Sequence, residues 1–205
     1  MAITSKVQIC NMALSHLGNF GTVSDIDTPK NSKEITFSLW YDISRQQLLK
    51  LLIPNFALKR KIVAKLSTVP AFGYDYAYEY PNDALKVLGF NNIDEKDLEY
   101  AVENNMVLVN QDFTTGLKLR YVGDVTDVNA MSPEFKMALS WYLAGQVALD
   151  VTQDPRKAQN ITNQVPFRLS EASGMNAQEN PPIRKSTSKF RQARYSCPTR
   201  NNAKR

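Results

Sequence analysis

The residues best suited to chemistry are scarce and scattered. In 205 residues there is one histidine, His16, and two cysteines, Cys10 and Cys197. A zinc site draws on clustered imidazole and thiolate ligands, and a Ser-His-Asp or Cys-His nucleophile needs an imidazole base. Only His16 is there to serve, so the expectation is no catalytic residue, no cofactor, no metal and no enzyme. His16 falls in the last turn of a helix, where the dipole favours a cation. The two cysteines lie at opposite ends of the chain without a disulfide framework, which points to a protein made in a reducing compartment.

The other candidates each have a plain structural reading. Gly18-Asn-Phe-Gly21 lacks the spacing of a phosphate loop and follows a helix instead of a strand, so it reads as helix cap and turn. Asp25 with Asp27, and Asp124 with Asp127, lack the further oxygen ligands and terminal Glu of a calcium loop and read as solvated turn residues. Tyr74, Tyr76, Tyr78 and Tyr80 alternate along one segment, which would set four phenol rings on one sheet face. With Asp75 and Glu79 beside them to repel phosphate, a core or subunit interface fits better than a stacking platform for bases.

Charge carries the strongest chemical statement. Lys and Arg number 25 against 20 Asp and Glu, a formal net charge of +5. Residues 181–205 hold eight of the cations and no acidic residue, leaving seventeen cations against twenty acids, a charge of −3, on residues 1–180. Within that basic arm, Arg184, Lys185, Lys189, Arg191 and Arg194 are interleaved with Phe190 and Tyr195. Such a segment can release counterions from nucleic-acid phosphates, dock on an acidic protein groove with its rings as anchors, or stay solvated. Composition alone leaves all three open.

Four helices must position these features. Ile3, Val7, Cys10, Leu14 and Leu17 share one helical stripe, predicting a helix over about 4–17 with Thr4 or Ser5 as cap. A second helix over about 32–53 is capped by Asn31 or Ser32 and stopped by Pro54, with Ile35, Leu39, Ile43 and the leucines from Leu48 to Leu52 as its apolar stripe. Ser132-Pro133-Glu134 and Asp154-Pro155 are start signals for helices over about 133–151 and 155–174, and Pro166 should kink or split the last. Between the second and third helices, residues 56–125 read as a small antiparallel sheet with a hairpin turn at Asn104-Asn105. The fold class expected is α+β, mainly α: a helical bundle with an inserted β region and an extended C-terminal arm. The division is 1–180 as one folded domain and 181–205 as arm. No apolar run approaches the roughly 18 residues that a membrane span needs.

Several of these segments also resemble, in order, the tail tubular protein A family of head-to-tail adaptors of short-tailed bacteriophages. They are Leu14-Ser-His-Leu17-Gly18, Trp40-Tyr41-Asp42-Ile43-Ser44-Arg45, Pro54-Asn55-Phe56-Ala57-Leu58-Lys59-Arg60, Tyr78-Glu79-Tyr80-Pro81-Asn82-Asp83, Leu119-Arg120-Tyr121-Val122, Val125-Thr126-Asp127 and Leu139-Ser-Trp141-Tyr142-Leu143-Ala144. The resemblance covers roughly residues 5–175. It implies a structural virion protein, made in the host bacterial cytoplasm, that forms a ring, commonly a dodecamer, between portal protein and tail nozzle. Tail fibres attach to some such rings, genome DNA passes through without sequence-specific binding, and the C-terminal segment clasps the portal. That would give Arg184, Lys185, Lys189, Phe190, Arg191, Arg194 and Tyr195 a protein partner. Two rivals stay open: a nucleic-acid-binding module acting through the same arm, and a wall-degrading enzyme built on a carboxylate pair.

Overall fold

A computed structural model describes residues 3–18, 21–68, 70–90 and 98–179. All four expected helices form, with their signals in place. Helix α1 (Lys6–His16) opens on a capping box in which Ser5 accepts from the Gln8 amide and the Gln8 side chain accepts from the Ser5 amide. Helix α2 (Ser32–Leu52) is capped by Asn31, which accepts from the Glu34 amide at 2.9 Å. It ends at Ile53, whose φ of +49° is unusual for a β-branched residue. Pro54 excludes the helical conformation there, and Asn176 donates to the carbonyls of Leu52 and Ile53 that the helix end leaves open.

Helix α3 (Pro133–Thr152) starts on a Ser132 cap, and helix α4 (Pro155–Gln178) on an Asp154 cap. Of the kink or split expected at Pro166, the split does not occur: α4 is one helix from Pro155 to Gln178. Pro166 is exposed, and it removes only its own bond to the carbonyl four residues back while α4 packs along α3.

The inserted region holds β1 (Leu58–Val63), β2 (Tyr76–Glu79), β3 (Ala84–Phe90), β4 (Tyr100–Glu103), β5 (Met106–Val109) and β6 (Leu117–Gly123). It forms two three-stranded antiparallel sheets, ordered β1-β6-β3 and β2-β5-β4, where one was expected. Just past β1 the chain changes neighbours, with Lys65 bridging to Tyr78 and Leu66 donating to Ala77 at 2.8 Å. That corner joins the two sheets. The hairpin turn is as expected: Glu103 pairs with Met106, and Asn104 and Asn105 take φ of +43° and +61°, the left-handed pair of a two-residue turn.

Two apolar cores result, and the β1-β6-β3 sheet serves both. Leu58, Leu85, Leu88 and Val122 face the helices, where Phe37, Tyr41, Leu48, Phe135, Leu139 and Leu143 pack with Ile9, Cys10 and Leu14 of α1. Val63, Leu117, Leu119 and Tyr121 face the other sheet and meet Tyr78, Val107 and Val109. Of the tyrosine row, Tyr76, Tyr78 and Tyr80 pack on this second core, while Tyr74 precedes the strand. Tyr78 is wholly buried, and its hydroxyl accepts from the Phe113 amide at 2.8 Å. The core reading of the row therefore holds for three of its four rings.

Candidate interaction surfaces

Helix α2 keeps Leu48 and Leu49 of its expected stripe in the core and turns four of its other residues outward. Ile35, Leu39, Ile43 and Leu51 are 49%, 65%, 49% and 62% exposed, while the buried face is Glu34, Phe37, Tyr41, Ser44, Arg45, Leu48 and Leu49. Both faces carry apolar residues, so spacing could not tell core from surface. Two of the polar residues on the inner face, Glu34 and Arg45, are held there by partners from outside the helix, while the Ser44 hydroxyl is buried without a hydrogen-bond partner among the described residues.

Glu34 accepts from the amides of Ser24 and Lys30 at 3.1 and 2.7 Å, which folds the α1–α2 connection against the helix. Those amides lead the effects that hold its carboxyl below the ordinary value. Arg45, 2% exposed, is the larger case. Its guanidinium donates to Asp42 at 3.1 and 3.2 Å, to the Val125 carbonyl at 2.8 Å and to Asp124. Gln46 donates to the same Asp124 at 3.0 Å. Burial works against the guanidinium charge, and the Asp124 and Asp42 carboxylates outweigh it, so its pKa is raised. Burial alone would raise the Asp124 carboxyl, but Arg45 and Gln46 bring it below its ordinary value.

Asp124 is thus not a solvated turn residue. It joins the end of β6 to α2. Asp25 and Asp127 do fit that reading: Asp25 accepts from the Asp27 amide and Thr28 hydroxyl, and Asp127 from the Asn129 amide. A charged residue among Tyr41, Leu48 and Leu49 was the available sign that Arg45 has a buried partner.

His16 also departs from its expectation. Its ring stacks on Trp141 of α3 at 4.0 Å between centroids, and the Arg168 guanidinium of α4 lies 5.1 Å from the same indole. Ser140 gives its hydroxyl proton to the Met137 carbonyl at 2.7 Å, so the contact at 3.0 Å is assigned as His16 Nε2–H donating to the Ser140 oxygen. Burial first, then the Arg168 charge, lower the His16 pKa. The shift favours the neutral ring where a helix-end cation was expected. A shallow depression of about 320 Å³ beside it is lined by Trp141 and Arg168 and by the exposed Met137 and Met175.

These shifts set an acid profile. His16 has a depressed folded pKa, so its contribution is complete above the unfolded value of about 6.5 and declines as pH falls below it. Asp124, Asp83 and Asp112 are also depressed, by Arg45, Lys59 and Lys65 respectively, and their contribution is lost as pH falls below about 4. Thermal unfolding followed from pH 8 to 3 should therefore fall in two steps. His16→Gln should remove the upper one and leave the lower. A melting temperature that rises on acidification would contradict the assigned shifts.

Among the described residues, no group of three or more His, Cys, Asp or Glu could hold a metal ion. Burial drives the Cys10 thiol up to about 12, far from thiolate chemistry. No described helix is long and apolar enough to cross a membrane. Arg184, Lys185, Lys189, Phe190, Arg191, Arg194 and Tyr195, the partner-binding residues expected from sequence, lie outside the described residues, as do Cys197 and the rest of the arm.

No protein-family model matches the chain. No curated protein matches it significantly. The surfaces themselves must carry the functional reading.

Proposed function

We propose that this chain is a structural subunit of a ring that joins the portal of a short-tailed bacteriophage head to its tail. The observation that carries the reading is the outward apolar row of α2, Ile35, Leu39, Ile43 and Leu51, on a helix whose other face already fills the core. Ile35, Leu39 and Ile43 follow one another at four-residue spacing, with Leu51 two turns further on past the exposed Gln47. Exposed aliphatic residues grouped in this way support a surface that a partner covers. A closed ring uses unlike, head-to-tail surfaces, and the depression with Met137, Trp141 and Met175 supplies a second, different apolar surface on α3 and α4. The ordered sequence resemblance to tail tubular protein A supports the same reading and suggests a dodecamer.

In this reading the ring docks beneath the portal protein and offers its other face to the tail nozzle protein and, in some virions, to tail fibres. The excess of acidic residues over residues 1–180 suits a channel wall past which genome DNA slides without adhering. The basic arm, through Arg184, Lys185, Lys189, Phe190, Arg191, Arg194 and Tyr195, binds the portal.

The test is attachment to portal-bearing heads, viewed by electron microscopy. The full chain should add a ring at the portal vertex, and a chain lacking residues 181–205 should stay folded and fail to attach. Unchanged attachment of the shortened chain would overturn the arm's role, and no attachment of either would overturn the adaptor. If the arm instead serves nucleic acid, DNA affinity should drop on the order of 10³-fold between 50 and 200 mM salt.

A further inference from the structure

Arg60 of β1 and Arg120 of β6 are register partners, so two arginine side chains leave the same face of the β1-β6-β3 sheet from directly opposite positions. Like charges directly opposite each other destabilise a sheet. The sheet's neighbouring lysines show how such charges are usually settled. Lys59 pairs with Asp83 at 2.6 Å, Lys61 with Glu79 at 3.3 Å, and Lys65 just beyond with Asp112 at 2.8 Å. Among the described residues, neither Arg60 nor Arg120 makes an ion pair, and both are exposed.

Their position is recessed. They share a sheet face with Leu58 and Val122, the residues that the helices cover, but lie past the end of that cover. Two adjoining depressions, of about 350 and 460 Å³, have both arginines on their walls. The first also takes in Ile62, Phe90 and Lys118, with Ile62 60% exposed. The second takes in Asn55, Leu58 and Glu179 of the α4 terminus, where Asn55 donates to the Glu179 carboxylate at 3.0 Å.

We propose that this cleft is a docking site for an acidic, aliphatic segment of a protein partner. A partner carboxylate would lie between the two guanidinium groups, whose planar forks match it bidentately, and an aliphatic side chain would cover Ile62. Charge complementarity chooses this occupant. The arginines are uncompensated among the described residues, and residues 181–205 add eight cations and no acid to the chain. A nucleic acid fits less well, because Phe90, the aromatic residue in the wall, is only 5% exposed and presents no stacking face, whereas Glu179 on the rim disfavours phosphate and carboxylate alike. The proposal does not depend on ring assembly, since a single subunit carries the whole cleft.

The experiment compares the full chain with Arg120→Gln, with Arg60→Gln/Arg120→Gln, and with an arm control, Arg184→Gln/Arg191→Gln/Arg194→Gln. Relief of the like-charge contact should raise the melting temperature of Arg120→Gln by about 1–3 °C. A short peptide of alternating glutamate and leucine, titrated by calorimetry at about 0.1 M salt, should bind the double variant at least about tenfold more weakly than the full chain. The arm control should bind it within about threefold of the full chain. A lower melting temperature for Arg120→Gln would mean that the chain already satisfies the pair, and would overturn the proposal. So would a peptide that fails to bind, a peptide that binds the double variant equally well, or binding lost with the arm. Tighter binding of inorganic phosphate or a short single-stranded oligonucleotide, abolished in the double variant, would reassign the cleft to phosphate.

Discussion

Asp124→Ala should lower the unfolding free energy by about 3 kcal/mol, equivalent to a fall in melting temperature of roughly 6–12 °C for a chain of this size. The size follows from what is left behind. Arg45 is 2% exposed, and without Asp124 it keeps only the exposed Asp42, the Val125 carbonyl and its own burial cost. Removing one partner of a buried pair costs about 3–5 kcal/mol, and the remaining Asp42 contact places this case at the low end. Arg45→Met/Asp124→Ala should recover part of the loss, because an apolar chain in the same volume no longer needs a counter-charge. Urea unfolding of the single and double variants decides this. A double variant less stable than Asp124→Ala would show that Arg45 contributes more through packing and Val125 than through charge.

Leu39→Glu/Ile43→Lys should leave the fold intact and dismantle the assembly. The two residues are 65% and 49% exposed, so substitution there should alter monomer stability within about 0.5 kcal/mol. Glu four residues ahead of Lys is a favourable pair on a helix, and the net charge does not change. If the α2 row is the subunit contact, each interface loses two apolar side chains worth about 1.5–3 kcal/mol apiece when covered. That corresponds to about 10²- to 10⁴-fold weaker association. Sedimentation velocity of the full chain and the variant over a range of concentrations reads the difference directly. Identical assembly in both would remove the α2 row from the ring and, with it, the main physical support for the proposed function.

How far the fold was legible depended on whether a signal was local. Asn31, Ser132-Pro133 and Asp154-Pro155 act within one helical turn, and all three mark helix starts as expected. The Asn104-Asn105 turn was equally readable, because positive φ at two adjacent positions is a property of those residues. The inner face of α2 was not readable. Glu34 is buried because of Ser24 and Lys30, and Arg45 because of Asp124, 79 residues further on. Nothing within the helix announces either partner. With such polar residues inside and aliphatic residues outside, apolar spacing finds Leu48 and Leu49 but selects the wrong side at Ile35, Leu39, Ile43 and Leu51. His16 was missed for the same reason, since Trp141 and Ser140 reach it from another helix. Strand β1, with Lys59-Arg60-Lys61 at its centre, has little apolar alternation to mark it.

The sheet shared by the two cores also governs the order in which the chain can become native. Its β1–β6 pairing joins Leu58 to Val122 across the whole inserted region, whereas the β4–β5 hairpin closes over two residues. Loop-closure entropy makes the hairpin an early, inexpensive event and the β1–β6 contact a late one. Until that contact forms, the helices lack Leu58 and the β core lacks Val63, the two residues that β1 gives to them. Neither half therefore matures alone, and refolding should complete in one concerted final phase set by the slowest strand pair.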